Sequence, residues 1–415
     1  MPQGSRLLFL IVFVLHVAPV SAGVIAPIEL GWDGTGREIN DEGRIVAQTG
    51  GFWTPGGLFT PWGTTSVGRW GCPEGSMSSY FVGAPVSGLS ADGRILGYCC
   101  YLWEGDPPEL TLCSAATWDE NGYDYTPLES LWSGFDSLYG MAADGDAAGR
   151  IVGQTLNHPG ELTHRPVIWN DHNALPLELP NFSSYDPLFP LPFPVRINSR
   201  GYIIGNTSAA TTPHAAIWTP VSTSYALFSF LGKLPGGATS HAHDIDSAEM
   251  VVGSSDDGSG TEVAVVWQPN GSGWDVTALP VPFSGGSCSE ATAVSDRGEI
   301  AGNCTTSTGH ERGVIWRQAA GSWFFVFELV PLPGHDDSAV FGLNEKQQAV
   351  GRSGDASSPR AVRWEFAPSI PPVPSLSPVA LALLGFAIVA VALLLSSGRG
   401  RLRKRARSPR AGRRA

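Results

Sequence analysis

A glycine closing a short apolar run recurs along this chain at Gly97, Gly153, Gly205, Gly253, Gly302 and Gly351, with Ala47 in its place in a first copy. The intervals are 50, 56, 52, 48, 49 and 49 residues. A tryptophan follows each later copy, at Trp118, Trp169, Trp218, Trp267, Trp316 and Trp364, at intervals of 51, 49, 49, 49 and 48. In the first copy Trp53 takes that role. Two independent rulers with one period make chance repetition untenable and point to a repeat architecture.

Each copy reads the same way. A short apolar strand ("PVRI", "ATAV") meets a turn of Asn, Ser, Asp and Gly ("NSRG", "SDRG"). A second apolar strand ends at the ruler glycine. A polar loop leads to a third strand ending in Trp ("HAAIW", "RGVIW"), and a fourth segment carries Leu and Pro ("ALPLELP", "VTALPVPF"). Alternation, β-branched residues and turn punctuation mark all of these as strands. The turn residues either tolerate φ > 0 or bond their own backbone. The 51 Gly and 33 Pro suit such a chain.

Four strands per roughly 49 residues is one propeller blade. The expected fold is all-β: a seven-bladed β-propeller ectodomain over residues 23–366, plus one C-terminal transmembrane helix. A β-solenoid is the alternative, but its rungs are usually shorter. The six tryptophans are expected to pack between blades, where each N–H needs a partner. The last copy stops at Trp364–Phe366 without its Leu-Pro segment, whereas "VIAPIEL" at Val24–Leu30 precedes the first copy as an orphan. That segment is expected to complete the last blade, leaving no open edge.

The ends read as targeting segments. Arg6, the apolar "LLFLIVFVLHV" and "VSA" ending at Ala22 form a secretory signal over residues 1–22. Residues 367–378 are a Pro-rich spacer. Residues 379–395 are 17 apolar residues without a charge, about the minimum for a span. Residues 396–415 carry nine Lys/Arg and no acid, which keeps that end cytoplasmic. The expected location is the cell envelope, with the ectodomain outside the cytoplasm and the inner membrane engaged through 379–395. Without the two ends the chain keeps 38 acidic and 16 basic side chains, a charge near −22. Nucleic acid is therefore not an expected partner.

Six cysteines in an exported chain form disulfides readily. The strands around "SDRG" place Cys288 nearly opposite Cys304. Cys113 begins the Trp strand of copy two, and one of Cys99 and Cys100 is expected to bridge to it, with Cys100 the choice. The other has Cys72 within reach. Metal-type spacing is absent, so disulfides are preferred to zinc.

The units "RINSRGYIIGNT…HAAIW" and "DIDSAEMVVGSS…VAVVW" resemble the HAF-type extracellular repeats of bacterial exported proteins. The resemblance covers nearly all of residues 31–366, although Val-Ile or Ala-Ile stands where those repeats carry an aromatic before Trp. The C-terminus resembles the tripartite sorting signals of Gram-negative bacteria, closest to the Ile-Pro-Thr-Leu type and a cousin of the Pro-Glu-Pro type. Val373, Pro374, Ser375, Leu376 and Ser377 form the motif, with Ser375 in place of Thr. The resemblance implies a membrane protease that recognises the tail; the plain alternative is a single-span anchor.

Chemistry is sparse. No nucleophile elbow, zincin, P-loop or dinucleotide motif occurs. "HAHD" at His241–Asp244 falls at a first-strand position and reads as structural. "SSDDGSG" at Ser254–Gly260 and "GHDD" at Gly334–Asp337 lack calcium-loop spacing. No cofactor, metal or catalytic residue is expected. Ligands of propellers sit on loops at one end of the channel, and the least uniform loops, Gly50–Tyr80 and Tyr101–Leu112, carry Trp53, Trp62, Trp70 and Trp103. The expectation is a non-catalytic binding or structural module, its ligand a protein or a glycan. The alternative is a cell-surface glycan hydrolase or lyase, which acids together with Arg or His at one channel mouth would favour.

Overall fold

The structure is a computed structural model. It describes residues 23–366 except 48–50, 55–57, 62–78, 84–85, 104–109, 120–124, 132–139, 157–163, 181–191, 208–211 and 222–223. The signal segment, Val373–Ser377, the 379–395 span and the basic tail lie outside the described residues, as do Trp62 and Trp70. No helix among the described residues is long and apolar enough to cross a membrane.

The described elements are all strands, arranged in seven sheets as a β-propeller. The inner strands are Gly36–Ile39, Val86–Leu89, Gly140–Gly145, Pro192–Ile197, Ser240–Ile245, Ser287–Val294 and Ser338–Leu343. Each neighbours the next, and the seventh neighbours the first. Sheets are numbered in that order. Six are full blades. The seven blades expected are thus six, because no strand of sheet one (Gly36–Pro61) exceeds four residues. Its sequence has the shortest apolar runs and no ruler glycine. Its register still matches: Trp53 pairs with Ile45, as Trp218 pairs with Ile203 and Trp267 with Val251.

The turn between inner and second strands follows from its first residue. Asn198 Oδ1 accepts from the N–H groups of Arg200 (3.1 Å) and Tyr202 (2.9 Å), and Gly201 supplies φ +89°. Asp246 does the same for Ala248 and Met250, and Asn344 for Lys346 and Gln348. A side chain that satisfies its own turn fixes the hairpin before any tertiary contact forms.

Every inner strand carries a bulge at one place. In sheet five the pairing steps from Ala242 with Gly253 to Asp244 with Val252, skipping His243. The skipped residues elsewhere are Arg37, Ser87, Ala143, Val195, Thr292 and Phe341. The bulge presses the preceding carbonyl onto the second strand. A Cβ on Gly253 would lie 1.9 Å from the His241 carbonyl oxygen, and one on Gly351 would lie 1.9 Å from that of Ala339. In sheets three to seven the ruler glycine gives the bulge its room.

The tryptophans join sheets. Trp118, Trp169, Trp218, Trp267, Trp316 and Trp364 are fully buried. Trp169 packs on Leu96, Ala115 and Leu128 of sheet two, and its Nε1 donates to the Glu129 carbonyl at 2.7 Å. Trp218, Trp267, Trp316 and Trp364 donate likewise to Pro180, Gly232, Pro280 and Val330 of the preceding sheet. Each acceptor directly follows a buried leucine, Leu179, Leu231, Leu279 or Leu329. The Leu-Pro segment thus supplies an apolar plug and then a carbonyl.

The orphan segment enters the last sheet. Pro27–Asp33 runs antiparallel to Arg360–Glu365, pairing Pro27 with Trp364 and Glu29 with Val362, and Leu30 fills the place of the missing leucine. Gly23–Ile25 also adds to sheet six, parallel to Ser322–Leu329. Cys288 and Cys304 face each other across the first hairpin of sheet six and are disulfide-bonded, with Cα atoms 3.9 Å apart. Cys100 lies opposite Cys113 in the backbone register of sheet two; their side chains, like Cys72 and the side chain of Cys99, lie outside the described residues.

Two stability predictions follow from these contacts. Gly253→Ala should lose about 1–3 kcal/mol by overpacking against the bulge, while Gly273→Ala, with nothing within 4 Å of its Cβ, should stay near zero. Urea unfolding compares the two. Deleting Gly23–Leu30 should lower the unfolding midpoint of the whole propeller, because it opens the last sheet; an unchanged midpoint in the same assay would refute closure by this segment.

Candidate binding site at the channel mouth

The bulge sets which side chain reaches the end of the channel. The residue after the skipped one is Glu38, Gly88, Asp144, Arg196, Asp244, Ala293 or Gly342 in sheets one to seven. Four of the seven are charged. They wall a cavity of about 310 Å³ at the turn end of the inner strands.

These side chains hold the next sheet while facing the cavity. Glu38 Oε2 accepts from the Leu89 N–H (2.7 Å), Asp144 Oδ2 from Ile197 (2.8 Å) and Asp244 Oδ2 from Val294 (2.8 Å). The acceptor always sits one sheet before its donor. Arg196 lies between the acids, with Nη2 3.2 Å from Glu38 Oε1 and Nε 3.8 Å from Asp244 Oδ1. The skipped residues make a second row of bonds. His243 Nδ1 lies 3.0 Å from the Ala291 carbonyl and Thr292 Oγ1 donates to that of Val340 at 3.0 Å. Inner-strand groups that face the channel, with no strand beyond them, thereby find partners.

A third row starts from the residue after the ruler glycine. Asn206 bonds both the N–H and the carbonyl of Ala242, and Asn303 both those of Val340. Gln154 holds this place in sheet three. The matching residue of sheet four is Pro194, which has no N–H to give, and Gln154 Oε1 is buried without a partner.

Three carboxylates around one guanidinium leave the cluster short of positive charge. Burial pushes Asp144 up to about 7, with Arg196 pulling down and Glu38 pushing further up. Burial raises Asp244 to about 6 and also raises Glu38, both opposed by Arg196. Burial alone would lower Arg196; Glu38, Asp144 and Asp244 outweigh it and hold the guanidinium above its ordinary value. Around the rim, Asp296 accepts from Ser247 N–H, Glu345 from Asp296 N–H and Asp41 from Glu345 N–H, at 2.6, 2.6 and 2.8 Å.

Of the sites considered from sequence, "HAHD" places Asp244 in the mouth, and the other residues fall elsewhere. His243 of "HAHD" is a skipped residue bonded to the next sheet. Asp256 and Asp257 cap their own loop, and Asp337 accepts from the Glu311 N–H. No group of three or more metal-ligating side chains occurs among the described residues. Of the four tryptophans on the least uniform loops, Trp53 and Trp103 have described backbone, in strands Gly51–Thr54 and Ile95–Trp103. Sequence reading missed the mouth, although a charge two residues before the turn, as in "VRIN" and "HDID", marks it.

No family model and no curated protein matches the chain. Among solved structures, a prolyl endopeptidase is similar at 11% identity and a TM-score of 0.48, over 78% of this chain and 46% of its own. A post-proline cleaving enzyme from Rickettsia typhi is similar at 10% identity and a TM-score of 0.44, over 68% and 43%. The β-propeller domain of the Trilobed protease from Pyrococcus furiosus is similar at 12% identity and a TM-score of 0.42, over 68% and 82%. The chain spans less than half the length of the first two. The likeness is one of fold, and no activity transfers on it.

The raised carboxylates fix the sign of the pH dependence. Their folded values lie above the unfolded ones, near 4, so the folded chain holds extra protons between about pH 4 and pH 7. Their contribution to stability is largest at the acid end of that window and is lost as pH rises through the folded values. The unfolding free energy should therefore fall by about 1–3 kcal/mol from pH 5 to pH 8, and Asp144→Asn should flatten that fall in denaturation curves across the range.

Proposed function

We propose that the chain is an exported protein, membrane-tethered or surface-sorted, whose propeller is a non-catalytic binding module with its ligand seat at the channel mouth. The abbreviated sheet one serves as the seventh blade. Its Arg44 donates to the Gly93 carbonyl of sheet two at 2.9 Å, and Asn344 of sheet seven donates to the Asn40 carbonyl at 2.9 Å. The ligand is a protein or a glycan of the cell envelope.

One observation carries the non-catalytic reading. Each mouth carboxylate already accepts a backbone N–H from the next sheet. A general acid or base needs a free oxygen within reach of the substrate and freedom to exchange its proton there. Asp244 has both oxygens engaged, since Oδ1 also accepts from the Ile245 N–H. The hydrolase or lyase reading keeps one observation in its favour: acids and an arginine do share one mouth, and Asp144 is raised to about 7, suited to proton transfer near neutral pH.

A glycan array probed with the full chain separates the two. Retention of bound glycans at constant mass supports a binding module, and release of shortened glycans, abolished in Asp144→Asn, supports the enzyme. Intact mass of the native protein tests the sorting reading. A product ending near Ser377 is expected if a protease acts on the tail, and a full-length chain in the inner membrane indicates a plain anchor.

A further inference from the structure

The mouth has a property that a rigid frame would not need. Its inter-sheet bonds run through ionisable groups, three carboxylates on sheets one, three and five, gathered around Arg196 of sheet four. Sheets two, six and seven place Gly88, Ala293 and Gly342 at the same level and add no charge there. Facing the cluster are His243 from a skipped position and Asp41, Asp246, Asp296 and Glu345 from the turns. Burial lowers His243, so it does not readily add positive charge, and the rim adds four carboxylates.

We propose that the channel mouth is a proton-operated clasp: it is closed while a proton is shared among Glu38, Asp144 and Asp244 around Arg196, and it loosens when that proton leaves. Two effects compete on deprotonation. An ionised carboxylate is a stronger acceptor for the backbone N–H of the next sheet. Three ionised carboxylates beside a single guanidinium also repel one another where water does not screen them. Burial raises all three acids against the pull of Arg196, with mutual repulsion adding to it, which fits lost hydration outweighing the stronger acceptor. An opened mouth, with hydrated carboxylates, has no such penalty. Opening is therefore linked to proton release, and the ends of the inner strands of sheets two, four and six are the parts set free. The clasp rests on the proposed binding role only for its consequence, which is that a ligand enters the mouth more readily at the alkaline end of the range.

Amide hydrogen exchange on the full chain tests the clasp without any ligand. Leu89, Ile197 and Val294 report the three bonds, and Val252, within the sheet-five ladder, is the control. After correction for intrinsic rates, protection at the three sites should fall about tenfold or more from pH 5.5 to pH 8, a factor of ten for each unit by which the closed cluster raises an acid. Protection at Val252 should hold. Asp144→Asn should flatten the pH dependence at Ile197, and Asp244→Asn that at Val294, so failure of one variant to fold leaves the other. Unchanged protection in the wild type, or loss shared equally by Val252, would overturn the clasp. Because the experiment contains no ligand, the clasp can fail while glycan or protein binding persists, and binding can fail while the clasp titrates.

Discussion

In every inner strand a residue drops out of the pairing at the same place, with Ser289 a second omission in sheet six, and much of the molecule is arranged around that shared omission. The bulge pushes a carbonyl at the second strand, and glycine at Gly153, Gly205, Gly253, Gly302 and Gly351 gives it room. It also puts two consecutive side chains in reach of the next sheet, whereas regular alternation would allow one. At His243 and Thr292 the skipped residue bonds a carbonyl of the next inner strand, and at Glu38, Asp144 and Asp244 its successor bonds an N–H. A strand with no neighbour on its channel side would otherwise leave those groups bare. One backbone irregularity thus settles the spacing of the glycines, the joining of the sheets and the composition of the mouth.

The tryptophans perform the matching task farther out. Trp169, Trp218, Trp267, Trp316 and Trp364 each pack against the preceding sheet and return the N–H to a carbonyl there, so these sheets are joined at two places by different means. The inner joint is polar and directional, and the outer one is mainly apolar. Removal of a buried tryptophan costs about 3–5 kcal/mol in typical cores, so the outer joint dominates the stability of the ring. The inner joint is the part free to vary in chemistry, and there sheets one, three, four and five carry charge.

Much of the frame was legible in the sequence because it repeats. The Gly and Trp rulers, the Asx turns, the completing segment Val24–Leu30 and the placement of Cys288 opposite Cys304 all follow from register, and register survives in any copy. The mouth was not legible for the same reason. Glu38, Asp144, Arg196 and Asp244 occupy one position of the unit, where the other copies have Gly or Ala, and alignment treats such a position as noise. What marks it is the bulge, a backbone event with no residue type of its own. Attention to the unlike loops led to Trp53 and Trp103, while the charged positions were inside the repeat.

The segment Gly23–Asp33 spans the outer edges of sheets six and seven, and Glu29 bonds Arg360 across 331 residues of sequence. This segment is made long before its partners in sheets six and seven. Its β-rich, apolar character must wait, unpaired, until nearly the whole propeller has been made. The first residues made are the last to be placed, and closing so long a loop is an entropic cost met only by a ring that is otherwise complete. Folding of this protein is therefore tied to completion of the ring: until this segment docks, the last sheet has no closing strand.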